Sequence, residues 1–393
     1  MIPIDGNSQL KNHYNKISRY FTYAKFITLI VLVFFLLFAF QFYRDDITIE
    51  NFRYMIKYLD FAAPENSAAV SNTTINFGGD ADSVLTLYRN DLAVVKRMGL
   101  DLFDLEGQKI FSSEHTMSSP SVACGNKFML VFDLGGTHIS LYNTFSKIWE
   151  TDCSYPIIDA TINDEGEFCI ATSEKGYTSV VYVYNSNFEP VYSWRSGDKY
   201  ITDVSMSSNG NFVISTIRAQ DGFYISEATL LSVNKSEIIA SVTLYDQIIM
   251  EVSGFEKFIT ILTDKAITFF DASDMKELTS VHFSRDSLHD FVSNDNYSAL
   301  VLSKKIIGSE NEISVYRRDG THVSTFASQG HIIDVCLTSN SLYKLSSGSL
   351  TIYNLETLEE KTLTVDKRFD ELISDNNTVI LANASEAVTI EGE

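Results

Sequence analysis

The chain has 393 residues, of which 45% are hydrophobic, and its formal net charge at pH 7 is −21. A charge this negative argues against nucleic-acid binding, because attraction to phosphate groups requires a basic face. The 27 Phe and 20 Tyr against only 5 Pro favour a packed domain over a disordered chain.

The first predicted element is a membrane-spanning helix. Residues 26–43 contain no Asp, Glu, Lys or Arg, and at about 1.5 Å per residue they reach about 27 Å, close to the thickness of a hydrocarbon core. Residues 1–25 carry four Lys or Arg against one Asp, and positively charged flanks stay in the cytoplasm. We therefore predict a cytoplasmic basic tail (residues 1–25), a single-pass transmembrane helix (residues 26–43) in the cell membrane, and an extracellular C-terminal ectodomain.

Cleavage as a signal peptide is the alternative to an anchor. It would need a small-x-small site directly after the apolar run. The run ends instead with Phe40-Gln41-Phe42-Tyr43, so we favour a retained anchor.

A short connecting segment follows the predicted span. Apolar residues at positions 52, 55, 56 and 59 recur at helical spacing, which predicts a short amphipathic helix that leaves the membrane. We favour packing of this helix on the ectodomain, and a position on the bilayer surface stays open. Residues 61–72 combine Ala62-Ala63-Pro64 with polar residues, a composition typical of a linker. We assign residues 44–72 to this juxtamembrane helix and linker.

Residues 73–393 read as a repeat of short strands. Units of about 40 residues each contain four β-branched or alternating runs separated by Gly, Asn and Asp turns, which is the pattern of a β-propeller. The opening strands of the units begin near Val84, Ser121, Ile157, Ile201, Ile248, Leu288, Ile332 and Phe369. Polar turns follow them, for example Asn163-Asp164-Glu165-Gly166 and Ser208-Asn209-Gly210.

The number of blades follows from the two ends of this region. The last unit supplies three strands, near 371–373, 378–381 and 387–390, and an extra strand at 74–77 precedes the first unit. Together they would complete one blade and close the ring. This favours an all-β fold with eight blades; seven blades, a β-helix and stacked sandwiches stay open as alternatives.

Two short stretches carry a family resemblance. In these stretches the chain resembles uncharacterised bacterial single-pass membrane proteins with a quinoprotein- or WD-repeat-like propeller ectodomain (domain of unknown function family 5711). The residues that carry the resemblance are Asn51-Phe52-Arg53-Tyr54 through Tyr58-Leu59-Asp60, and Phe132-Asp133-Leu134-Gly135-Gly136-Thr137. The segment 201–210 is similar to the start of a WD-repeat blade, although the Trp-Asp and Gly-His pairs of that repeat are absent. The resemblance implies a cell-surface protein of Gram-positive type and no known activity.

An acidic residue recurs near the start of six opening strands: Asp159, Asp203, Glu251, Asp290, Asp334 and Glu371. Because opening strands surround a propeller's channel, one hypothesis is a cation-binding ring whose oxygen ligands would suit Ca²⁺. Both faces of a blade point at neighbouring blades, however. We therefore favour carboxylates that accept hydrogen bonds between blades, and we predict no metal site.

No catalytic or cofactor-binding constellation emerges from the remaining residues. The sequence lacks a Gly-x-Ser-x-Gly elbow, and its ectodomain histidines show no metal-ligand spacing. Asp133-Leu134-Gly135-Gly136 suits a tight turn and lacks the Lys and Ser/Thr of a phosphate loop. The four cysteines are too scattered for a disulfide scaffold; we expect core residues, with a single bridge left open.

These observations predict a non-enzymatic, membrane-anchored propeller. We expect it to bind an unidentified envelope protein or to scaffold an envelope complex. The alternative is binding or sensing of cell-wall glycan or a small ligand, and a hydrolase or lyase that uses channel carboxylates is a third hypothesis. Cofactors are not expected.

Overall fold

A computed structural model describes residues 19–20, 23–35, 69–79, 82–233, 235–254, 256–304, 310–375 and 377–391. The chain divides into two compact units, Met1–Glu65 and Asn66–Glu393. In the first unit, residues 23–35 form an exposed helix, which covers the beginning of the predicted transmembrane segment. Residues 36–43 of that segment, the predicted helix and linker up to residue 68, and residues 1–18 of the tail lie outside the described residues. Among the helices that are described, none is long and apolar enough to cross a membrane.

The second unit contains thirty-two described strands in eight four-stranded antiparallel sheets. We number these sheets as blades 1 to 8 in chain order. Blade 1 consists of β2 (Val84–Tyr88), β3 (Asp91–Lys96), β4 (Gly99–Phe103) and β5 (Lys109–Glu114). Blade 2 consists of β6 (Pro120–Cys124), β7 (Met129–Asp133), β8 (His138–Tyr142) and β9 (Lys147–Asp152). Blade 3 consists of β10 (Asp159–Ile162), β11 (Phe168–Glu174), β12 (Tyr177–Tyr184) and β13 (Pro190–Ser196). Blade 4 consists of β14 (Tyr200–Met206), β15 (Asn211–Gln220), β16 (Phe223–Ser232) and β17 (Lys235–Tyr245).

The second half of the ring repeats this plan. Blade 5 consists of β18 (Ile249–Gly254), β19 (Phe258–Thr263), β20 (Ala266–Asp271) and β21 (Glu277–His282), followed by a short 3-10 helix (Arg285–Ser287). Blade 6 consists of β22 (Leu288–Ser293), β23 (Tyr297–Ser303), β24 (Glu310–Arg317) and β25 (His322–Gln329). Blade 7 consists of β26 (Asp334–Leu337), β27 (Ser341–Ser346), β28 (Ser349–Asn354) and β29 (Glu360–Thr364). Blade 8 consists of β30 (Glu371–Ser374), β31 (Val379–Ala382), β32 (Glu386–Glu391) and β1 (Ala69–Asn76).

The ring closes by combining the two ends of the unit in blade 8. Its strand order is β1-β32-β31-β30, and β1 pairs antiparallel with β32, for example Asn76 with Glu386. The inner strand of blade 8, β30, contacts the inner strand of blade 1, β2. The predicted eight blades and the predicted closing strand are thus confirmed, and the seven-blade alternative is wrong because the N-terminal strand completes a whole blade.

The core lies between neighbouring blades. All five residues of β7 are buried, as are five of the six residues of β3, because the middle strands of a blade are covered on both faces. Between blades 2 and 3, Phe168 stacks on Tyr184 with ring centroids 4.6 Å apart, and Trp149 lies 5.3 Å from Phe168. Burial of both faces explains why the middle strands read as continuous apolar runs rather than as a strict alternation.

The first strand of each blade faces the central channel, and we call it the inner strand; the fourth is the outer strand. The turns that join inner to second strands, such as Asn163–Gly166 and Ser207–Gly210, surround one end of the channel, which we call the mouth end. The loops that join successive blades surround the opposite end, the far end. Because strands alternate in direction, β1 begins at the mouth end.

Candidate interaction site at the channel mouth

The six acidic residues predicted in the opening strands lie on the inner strands of blades 3 to 8. Three of them bond to the next blade's inner strand: Asp159 Oδ2 accepts the N–H of Val204 at 2.9 Å, Asp203 Oδ2 that of Val252 at 2.5 Å, and Asp334 Oδ2 that of Leu372 at 2.6 Å. Each donor directly follows the acidic residue of its own strand. The same hydrogen bond, from a backbone N–H of one inner strand to an aspartate of the preceding inner strand, therefore connects blades 3 to 4, 4 to 5, and 7 to 8.

Asp159 and Asp203 form a carboxyl pair between blades 3 and 4. Burial raises the pKa of both groups, and with the neighbouring Asp159 carboxylate it raises the pKa of Asp203 to about 9. With a pKa of about 9, the Asp203 carboxyl keeps its proton at neutral pH and can therefore donate a hydrogen bond to a carboxylate. At neutral pH the buried pair therefore avoids two like charges side by side.

Two of the other three carboxylates bond more locally. Glu251 accepts a hydrogen bond from Ser253 Oγ at 3.2 Å, and that hydroxyl lies 2.8 Å from Ser293 Oγ of blade 6. Asp290 accepts the N–H of Phe291 at 2.7 Å, and burial raises the pKa of Glu371 to about 7.

The described residues do not bring these carboxylates together as a metal centre. In that part of the chain, no three His, Cys, Asp or Glu side chains are grouped so that they could hold a metal ion. The contacts that the structure does show for the acidic positions are hydrogen bonds to backbone and hydroxyl groups.

A cavity of about 870 Å³ opens at the mouth end of the channel. Its wall is built from the turns after the inner strands, and it includes Asp164, Ser208, Asp295 and Ser339. An adjacent cavity of about 660 Å³ shares Asp164 and Asp295 and is lined by the inner strands of blades 1, 6, 7 and 8. The volumes lie in the range of small-molecule sites, but both walls are mostly polar.

The mouth turns are connected to one another by side chains. Asn163 Nδ2 donates to the carbonyl of Ser207 at 3.2 Å, and Asn294 Nδ2 donates to that of Thr338 at 2.9 Å. The same two asparagines accept backbone N–H groups within their own turns. Each turn is thus held both internally and against the next blade, which leaves a preformed surface at the mouth.

Asp164 extends this network over three blades. One carboxylate oxygen accepts the N–H of Asn126 in blade 2 at 3.0 Å, and the other accepts the hydroxyl of Ser208 in blade 4 at 2.9 Å. The polar turns were predicted from the sequence, but their contacts were not. The available signal is the Asn, Ser or Thr that comes first after several inner strands, at positions 163, 207, 294 and 338.

Arg318 is a buried cation beside the mouth that sequence reasoning missed. It is 4% exposed, and its Nη1 donates to Thr260 Oγ1 in blade 5 at 3.1 Å and to Ser298 Oγ in blade 6 at 2.9 Å. Burial lowers its pKa to about 9, while Asp295 and Glu251 act in the opposite direction. Arg318 thus connects two blades and offsets negative charge at the cavity wall.

A smaller groove of about 370 Å³ includes His115 from the loop after blade 1, and Asp133, His138 and Asp152 from blade 2. His138 Nδ1 lies 2.9 Å from Asp152 Oδ1, and its Nε2 lies 3.0 Å from Ser140 Oγ. This is the order of a hydrolase triad, but Ser140 is 0% exposed. The hydroxyl therefore cannot meet a substrate in this structure. The sequence pattern does not reveal this arrangement, because Asp152 of β9 meets His138 of β8 only when the two strands pair.

The predicted turn at Asp133–Gly136 is confirmed. Gly135 has a φ of +77°, and Asp133 Oδ1 accepts the N–H groups of Ser118 and Ser119 at 2.9 and 2.7 Å. The carboxylate is thereby used to hold the preceding inter-blade loop. The four cysteines are free thiols, and burial raises the pKa of both Cys124 and Cys336 to about 12.

The closed ring of eight connected blades defines the chain's main domain as an eight-bladed β-propeller. Among solved structures it is similar to BamB from Moraxella catarrhalis, with 10% identity and a TM-score of 0.55 over 82% of this chain and 99% of that chain. It is similar to the computationally designed protein Ika8, with 11% identity and a TM-score of 0.57 over 80% and 98%. It is also similar to the C-terminal WD40 domain of Sif2, with 12% identity and a TM-score of 0.55 over 82% and 97%.

The chain belongs to a family of unknown function, DUF5711, whose model matches residues 65–391. No curated protein matches the sequence. At these identities the similar structures establish the fold alone.

Proposed function

We propose that this protein is a non-enzymatic scaffold that binds an envelope protein through the turns at the channel mouth. The observation that carries the proposal is the preformed mouth surface, whose turns are fixed by hydrogen bonds between blades. Binding residues on a propeller commonly lie on such turns because the sheets hold them in place. A surface that needs no ordering on binding loses little conformational entropy.

We further propose that the propeller is held at the cell membrane by residues 26–43, with residues 1–25 in the cytoplasm and the propeller outside. The support is the uncharged apolar run and its basic flank. A site-specific labelling experiment tests this arrangement. A cysteine introduced at Asp286, which is exposed at the far end, should react with a membrane-impermeant maleimide in intact cells, and one introduced at Ser8 should react only after lysis. Equal labelling of both before lysis would refute the orientation.

Partner binding is tested by cross-linking in intact membranes. We would reverse two exposed charges at the mouth, Glu256→Lys and Glu356→Lys, both of which line the larger cavity. The matched control reverses Glu114 and Asp286, which are exposed at the far end. The scaffold proposal expects one stoichiometric protein partner that is lost in the mouth variant and retained in the control. Equal recovery from both variants would exclude the mouth as the binding surface.

The mouth cavity favours a second candidate function, binding of a small polar ligand or a cell-wall glycan fragment. Its volume of about 870 Å³ would accommodate a short oligosaccharide. Two results together would favour this candidate over the scaffold. The wild-type propeller, but not the mouth variant, would retain purified wall glycan, and cross-linking would recover no stoichiometric protein partner.

A further inference from the structure

The outer strand of blade 4 differs from the other outer strands. β17 has 11 residues, whereas the outer strands of the other seven blades have five to eight. β17 is the last strand of its sheet, and no described strand pairs with its free side. It therefore presents a long row of backbone donors and acceptors.

Over Ile238–Tyr245, the free edge of β17 lacks the features that usually prevent strand pairing; the two charged residues of the strand, Lys235 and Glu237, lie at its beginning. Proteins protect edges with charged side chains, prolines or short strands, yet Ile238–Tyr245 contains no Asp, Glu, Lys, Arg or Pro. Ile238, Ile239 and Tyr245 are 56%, 37% and 70% exposed. The outer strands β1 and β25 are also free of these charges, but none of their described side chains is an exposed large hydrophobic residue.

The same edge is complementary to itself. In an antiparallel pair, residues opposite each other lie on one face of the sheet. A two-fold axis through Ser241 sets Ala240 against Val242, Ile239 against Thr243, and Ile238 against Leu244. Ala240, Val242 and Leu244 already pack on the apolar cluster between blades 4 and 5, so the new pairs would extend that apolar face.

Electrostatic repulsion between two copies of the chain is smallest at this edge. With a net charge of −21, two copies repel each other over most of their surfaces. The pairing above brings no like charges into contact, since Ile238–Tyr245 is uncharged. We propose that two copies associate through antiparallel pairing of their β17 strands, which joins the two blade 4 sheets into one eight-stranded sheet. This self-association goes beyond the scaffold function and does not depend on it.

Sedimentation of the purified full chain in mild detergent tests the proposal. The wild type should form dimers, and Ser241→Lys should raise the dissociation constant at least about tenfold, because two lysines would meet at the two-fold axis. Ser241 is exposed, so the propeller should stay folded. The matched control, Thr362→Lys, changes an exposed hydroxyl residue in the outer strand β29 and should leave the dimer intact.

A cysteine at the two-fold axis gives a second, independent measurement. Under mild oxidation, Ser241→Cys should form a disulfide-linked dimer much faster than Thr362→Cys, because opposite residues of paired strands lie at a separation that a disulfide spans. A monomeric wild type, with or without a different protein on the β17 edge, would overturn the proposal. Dimers that persist in Ser241→Lys, or equal cross-linking of the two cysteine variants, would also overturn it.

Discussion

The carboxyl pair of Asp159 and Asp203 predicts an unusual dependence of stability on pH. Burial raises the pKa of Asp203 from 3.8 to about 9, so between these values the folded chain holds a proton that the unfolded chain has released. The free energy of unfolding must then fall as pH rises through this window, with a slope of about 1.4 kcal/mol per pH unit. Ordinary salt-bridged carboxylates have the opposite sign.

Asp203→Asn removes this titration while keeping the geometry. An amide mimics the protonated acid: its oxygen can accept the N–H of Val252 and its NH₂ can donate to Asp159. Relative to wild type, the variant should therefore gain stability as pH rises, by up to about 4 kcal/mol between pH 5 and pH 8. Other groups, including Asp334 and Glu371, titrate in both proteins, and their contributions largely cancel in the difference.

Urea unfolding of the two proteins, followed by tryptophan fluorescence across this pH range, measures that difference. Asp286→Asn, at an exposed position, controls for the change in net charge. If the stability curves of wild type and Asp203→Asn run parallel, the Asp203 carboxyl is ionised in the folded protein and the prediction is refuted.

Three further predictions concern the connections between blades. Arg318→Met should lower the free energy of unfolding by about 2 kcal/mol or more, because it leaves the buried hydroxyls of Thr260 and Ser298 without their charged donor. The control Arg317→Met, at the exposed neighbouring position, should lower it by less than about 1 kcal/mol. Equal losses for the two variants in urea unfolding would contradict the role of Arg318. Gly136→Ala should lower the free energy of unfolding by about 1–3 kcal/mol, since the new Cβ would lie 2.0 Å from Asp133 Oδ2. The control Gly197→Ala, with no atom within 4 Å of the new Cβ, should leave stability unchanged. Similar melting temperatures for the two variants would refute the prediction. A chain that lacks residues 1–79, and therefore β1, should melt at a lower temperature than wild type and aggregate through the exposed edge of β32. A chain that lacks only residues 1–65 keeps β1 and should melt like wild type. If the two shortened chains have indistinguishable melting curves and light scattering, β1 is not needed for closure of the ring.

The blades could be predicted from the sequence because each repeats a local pattern. A polar turn between two apolar runs, such as Ser207–Gly210 between β14 and β15, specifies a hairpin wherever it occurs. The closing strand was also predictable, because the last unit has three strands and a blade needs four. Neither inference required knowledge of which side chains meet between blades.

The contacts of the site could not be predicted in the same way. Arg318 connects Thr260 and Ser298, which lie 58 and 20 positions away in the chain, and no local pattern encodes such distances. The bonding of Asp159 to Val204 depends on the rotation between two blades, which the spacing of strands does not specify. The acidic positions were recognisable as a repeated feature, but whether they hold protons, backbone groups or cations depends on that rotation.

The distribution of the carboxylates divides the interfaces between neighbouring blades, which we call seams, into two kinds. Between blades 3 and 5, and between blades 7 and 8, buried carboxylates bond across the inner strands, so these seams respond to protonation. β2 and β6 carry no acidic residue, and blades 1 and 2 are joined instead at the mouth, where Tyr88 Oη and Arg89 Nε donate to the carbonyls of Lys127 and Asn126, both at 2.6 Å. Neither bond depends on an acidic group. A rise in pH should therefore weaken the ring at blades 3 to 5 and between blades 7 and 8, while the seam between blades 1 and 2 keeps its strength.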